Sequence, residues 1–228
     1  MNVSEIVKKL KELSKNAKAG YKEGMARFGI VSENALGISV PELRKLAKEI
    51  KKSNIAEIRH ECALSLWKQN IHEAKLLASM IDDPKLVTER QMEEWAYCFY
   101  SWDVCDQCCM NLFDKTEFCD KKIREWVKEE KEFVRRAGFA LMACAAWHDK
   151  KSPDERFLTY LPIIERYSND DRNFVKKAVN WALRQIGKRN AALRKEALKL
   201  AKKLNTVDQK HKTACWIGAD AARELEKI

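Results

Sequence analysis

Ile58-Arg59-His60-Glu61-Cys62, Val134-Arg135-Arg136-Ala137-Gly138 and Val175-Lys176-Lys177-Ala178-Val179 share one pattern: an apolar residue, two basic ones, any residue, then mostly a small one. The first two begin 76 residues apart, twice 38, and the last two 41 apart, close to the ~40–47 residues of HEAT-type helical pairs. A helix pair in such an array buries its apolar face only against its neighbours. The pattern therefore predicts an all-α fold, an α-solenoid of HEAT-like helical repeats. An ordinary helical bundle with chance similarity is the alternative.

Apolar spacings of three and four residues recur around these segments. Breaks fall near Gly20, Gly37 to Pro41, Lys52-Ser53-Asn54, Asp82-Asp83-Pro84, Ser101, Lys151-Ser152-Pro153, Ser168-Asn169-Asp170, Arg189-Asn190 and Asn205-Thr206. They predict about ten to twelve short helices. No break is a long Gly/Ser or Pro linker, so residues 1–228 read as one domain. Seven glycines and four prolines in 228 residues are far below the roughly 12% of average usage and argue against a turn-rich β architecture.

The net charge is +10, and residues 171–204 hold eleven Lys or Arg against Asp171 and Glu196. Residues 1–31 carry a smaller excess of seven basic residues over three acids. Such a distribution points to an anionic partner. No apolar run reaches the ~18 residues of a membrane span, and Met1 to Gly20 has no signal-peptide block. No membrane partner and a cytoplasmic location are the expectation, with the eight cysteines as reduced thiols.

On a helix over 174–188, Val175, Val179, Ala182 and Ile186 form the core stripe. Lys177, Trp181, Arg184 and Lys188 cluster on nearly the opposite side, with Phe174 at the edge. Trp181 either lies under a second helix or shields lysine stems, or it touches sugar or base while the cations neutralise phosphates. The acid-poor surroundings favour the nucleic-acid reading. Arg194, Lys195, Lys199, Lys202 and Lys203 add charge at the same end.

Tyr100-Ser101-Trp102-Asp103-Val104-Cys105-Asp106 reads as a helix start, with Ser101 at the N-cap and Asp103 favourable to the helix dipole. Asp106 lies beyond that first turn and shares a face with Trp102. It lines a pocket beside the indole or is an ordinary exposed helical acid. Arg136 continues into a stripe of Ala140 and Ala143, open to close approach of a backbone, with an ion pair to Glu129 or Glu132 as the alternative. Cys105 and Cys108 have Cys-x-x-Cys spacing without a second pair or a nearby His, so packed thiols, not a metal site, are expected. There is no Gly-rich phosphate loop, Gly-x-Ser-x-Gly elbow or His-Glu-x-x-His motif.

From about Gly37 to Leu204 the chain resembles the AlkD-type bacterial DNA glycosylases, the HEAT-like-repeat DNA alkylation repair family. The likeness rests on Leu36-Gly37-Ile38-Ser39-Val40-Pro41 with Leu43-Arg44-Lys45-Leu46, on Trp102 to Asp106, on Arg135-Arg136, and on Phe174 to Arg184 with Trp181. The chain departs from the family pattern at Asn173, Ser101 and Cys105.

The resemblance implies a DNA glycosylase that excises cationic alkylated purines, 3-alkyladenine or 7-alkylguanine, from duplex DNA. Asp106 matches the catalytic carboxylate, Trp102 and Trp181 the two tryptophans that pack on the deoxyribose and backbone, Arg136 the phosphate-contacting arginine, and Phe174 one of an aromatic pair. Lys177, Arg184 and Lys188 would hold further phosphates. No metal or organic cofactor is called for, and a monomer is expected. The rival expectation is a non-catalytic HEAT-like nucleic-acid-binding scaffold.

Overall fold

The computed structural model describes residues 1–17, 20–30, 33–206 and 211–228; Lys18, in the basic N-terminal stretch, lies outside them. Among the described residues the regular structure is entirely helical. The chain divides into two compact units, Met1–Thr116 and Glu117–Ile228.

The first unit contains α1 (Val3–Lys15), α2 (Tyr21–Arg27), α3 (Val40–Ser53), α4 (Ala56–Trp67), α5 (His72–Ile81), α6 (Glu89–Tyr97), α7 (Trp102–Asn111) and a 3-10 turn, Phe113–Lys115. Its starts are written locally. Asn2 and Glu5 form a capping box on α1. Before α3, the Ser39 backbone N–H and hydroxyl both donate to Glu42 Oε2, at 3.2 and 2.7 Å, and Pro41 sits in the first turn where its missing N–H costs nothing. The core centres on Trp67 and Trp95, stacked with ring centroids 4.1 Å apart and 4° between planes. Phe99 meets Trp67 edge-on at 6.2 Å, and the Lys75 ammonium lies 4.7 Å above the Trp67 ring.

The second unit contains α8 (Cys119–Trp126), α9 (Glu132–His148), α10 (Asp154–Leu158), α11 (Leu161–Arg166), α12 (Asn173–Lys188), α13 (Ala191–Asn205) and α14 (Lys212–Leu225). A ladder at a near-constant offset organises it. Phe133 meets Phe174, Arg136 reaches the Phe174 carbonyl, and Arg189 reaches that of Ala146, so α9 and α12 run parallel. Lys176 lies over Trp216, Asn180 bonds Asp220, and Arg184 pairs with Glu224, so α14 repeats the arrangement 40 residues further on. This is repeat geometry: each helix is buried against its counterpart in the next pair. Gly218 lets α14 also pack closely on α13, since a Cβ there would collide with the α13 backbone at Ala201 and Asn205.

Two expectations change. Fourteen α-helices are present among the described residues, more than ten to twelve, because Leu112 to Phe118, Val127 to Lys131 and Thr159-Tyr160 interrupt helices without strong Gly or Pro signals. The Ile58 segment is also not an equivalent rung. Val134 and Val175 are buried, whereas Ile58 is 43% exposed. The third rung is α14, where Trp216 replaces a basic residue and hides the pattern.

Candidate nucleic-acid interface

Asp106 and Trp102 lie one helical turn apart on α7, in the first unit. Asp106 is buried, at 8% exposure, and Trp102 is partly exposed. The indole is fixed by its edge, its Nε1–H donating to the Phe28 carbonyl at 2.8 Å. The start of α7 is fixed as well. Ser101 occupies the N-cap position but makes no side-chain cap to the helix; its hydroxyl donates instead to Asp103 Oδ1. Asp103 Oδ2 lies 2.7 Å from Nε2 of buried His72, whose Nδ1 lies 2.8 Å from the Tyr100 hydroxyl. Burial pushes the Asp103 carboxyl up, but the bonds from His72, Ser101 and the Val104 N–H outweigh it and hold the group below its ordinary range. With Asp103 ionised, Nε2 donates, and in the neutral ring Nδ1 accepts from Tyr100. Residues 100–103, which flank Trp102, are thereby held by a chain of four side chains.

The Leu36 to Pro41 motif also has a physical basis. Gly37 has φ +78°, a conformation favouring glycine, which turns three successive N–H groups toward one carboxylate. The buried Glu73 accepts from Leu36 at 2.8 Å, Gly37 at 2.7 Å and Ile38 at 3.2 Å. Cys105, Cys108 and Cys109 are fully buried on α7; burial raises the Cys108 thiol well above its ordinary value. No group of three or more metal-capable side chains is present among the described residues.

Arg136, Phe174, Lys177, Trp181, Arg184 and Lys188 all belong to the second unit. Val175, Val179, Ala182 and Ile186 are fully buried. Lys177 and Lys188 are exposed, and Phe174, Trp181 and Arg184 partly so. Arg136 is buried, and its Nη1 donates to the Phe174 carbonyl at 2.5 Å. Phe174 packs on Phe133 of α9 with centroids 5.4 Å apart, so its aromatic neighbour lies on α9 and not at Asn173. Phe133 was legible in sequence: it precedes Val134 as Phe174 precedes Val175.

The basic block is not unopposed in space. Glu224 binds both Arg184 and Lys188, and Asp220 lies 3.9 Å from Arg184. Lys203 pairs with Glu165 at 2.5 Å and Lys202 with Glu226 at 3.1 Å. These acids come from α11 and the C-terminal segment, outside the acid-poor stretch. His72 carries no sequence signal of its own, since it stands 28 residues before the Tyr100 to Asp106 segment that it joins.

A helical ladder at HEAT-like spacing defines the class of α-solenoid repeat folds. Residues 9–216 match the family model described as DNA alkylation repair enzyme, and the chain belongs to that family. No curated protein matches it. Among solved structures it is similar to one described as "a new family of proteins related to the HEAT-like repeat DNA glycosylases with affinity for branched DNA structures". The two share 19% identity with a TM-score of 0.77, over 100% of this chain and 95% of that one. The fold is thus that of the HEAT-like repeat DNA glycosylases. Among the described residues no helix is long and apolar enough to cross a membrane.

Proposed function

We propose that this protein is a DNA glycosylase that removes cationic alkylated purines from duplex DNA. The observation that carries the reading is Asp106: a buried carboxylate one turn from an edge-anchored tryptophan, in a chain of the DNA alkylation repair family. A 3-alkyladenine or 7-alkylguanine is already cationic and leaves as a neutral base, with no general acid. The N-glycosidic electron pair departs with the base, and an oxocarbenium-like sugar develops. Asp106 stabilises that cation and positions the water that adds to C1′, losing its proton to solvent. Trp102 presents an electron-rich ring face to the deoxyribose, and Trp181, on the second unit, presents one to DNA. Lys177, Arg184 and Lys188 hold phosphates, Phe174 packs beside the backbone, and Arg136, expected to hold a phosphate but buried and bonded to the Phe174 carbonyl, positions that residue instead. Residues 1–228 act as one domain, as a monomer and in the cytoplasm.

Release of 7-methylguanine from methylated duplex DNA, compared between wild type and Asp106→Asn, tests the reading. A second reading is favoured by the description of the solved relative, which names affinity for branched DNA: a scaffold that binds DNA without cleaving a glycosidic bond. Salt-dependent DNA binding by the wild type, with no base released from any alkylated substrate, selects it.

A further inference from the structure

Arg184 and Lys188 stand four residues, about one helical turn, apart on α12, and both are held by a single carboxylate, Glu224, on α14. Asp220, one turn earlier on α14, faces the same side. It accepts from Asn180 at 2.7 Å, pairs with Arg223 and approaches Arg184. Burial pushes Glu224 up, but the bonds from Lys188 and Arg184 outweigh it and hold the carboxyl below its usual range, so it is ionised at neutral pH. The side chains of Arg184, Lys188 and Glu224 are 27%, 36% and 30% exposed. The cluster is therefore open to solvent, and ion pairs this exposed are weak enough to exchange.

We infer that Glu224 is an internal competitor for DNA phosphate: it occupies the Arg184 and Lys188 cations in the free protein and thereby sets the affinity for undamaged backbone. This rests on the DNA-binding part of the proposed function. A repair protein gains from the arrangement, because strong neutralisation of every phosphate would hold it on undamaged sites. Association releases Glu224 to solvent only where other contacts, such as those to a lesion, repay the exchange.

The test is binding of an undamaged 20-base-pair duplex by fluorescence anisotropy across a salt series. Glu224→Gln is expected to bind about fivefold tighter, with a log–log salt slope steeper by about one phosphate contact. Adding Arg184→Gln to that variant removes part of the gain and adding Lys188→Gln as well removes the rest, whereas Arg184→Gln alone changes affinity less. Thermal melting of each variant distinguishes a gained contact from partial unfolding, and Glu224→Ala provides a second route to the same prediction. Salt-dependent wild-type binding that Glu224→Gln and Glu224→Ala leave unchanged or weaken overturns the inference alone. No duplex binding by the wild type at low salt overturns the DNA-binding reading and the inference with it.

Discussion

The Trp102 indole is tied to the main chain of Phe28: Nε1–H donates to that carbonyl at 2.8 Å across 74 residues of sequence. The bond leaves the ring faces to their other contacts while fixing the angle of the edge. Trp102→Phe keeps an aromatic face but loses this donor. A hydrogen bond worth roughly 1 kcal/mol predicts about fivefold slower single-turnover base release, whereas Trp102→Ala removes the face as well and falls further.

The His72–Asp103 pair gives the first unit an acid-sensitive lock. The Asp103 carboxyl titrates below its unfolded value of 3.8, so its contribution is complete above that value and is lost as pH falls through the lower, folded one. Asp103→Asn is expected to cost roughly 1–3 kcal/mol at pH 7. In urea melts from pH 7 to pH 3 the gap to wild type narrows only at the acid end. A gap that stays constant to pH 3 contradicts the assignment.

The stacked Trp67 and Trp95 carry the core of the first unit. Trp95→Ala opens a large cavity there and is expected to cost about 3–5 kcal/mol, read as an earlier urea midpoint for that unit. An unchanged midpoint places the core elsewhere.

Phe133 and Phe174 act as a pair on α9 and α12. Alanine at either position is expected to weaken duplex binding by several-fold, and the double variant by less than the product of the two. Full additivity, measured by anisotropy, shows that they act separately.

Much of this was legible in the chain and some was not. The buried stripe of α12 follows directly from 3.6-residue spacing, and the Val134 and Val175 segments lie on true rungs because the ladder is a property of helix length. The Ile58 match fails since five-residue patterns of common residues recur by chance. α14 was missed because Trp216 and Ile217 stand where the other rungs carry cations. Helical periodicity showed only that Asp106 and Trp102 share a face, and their roles came from the family resemblance; the anchor at Phe28 and the Tyr100–His72–Asp103 chain join residues distant in sequence. The charge block misleads for the same reason. Glu224 and Glu165 lie outside residues 171–204, and only folding sets them beside Arg184, Lys188 and Lys203.

The most direct test of the central claim is the rate of 7-methylguanine release from methylated duplex DNA by wild type and Asp106→Asn at equal DNA occupancy. The account predicts release by the wild type and at least a ~100-fold loss in the variant, with duplex affinity retained. Release by Asp106→Asn at the wild-type rate contradicts it.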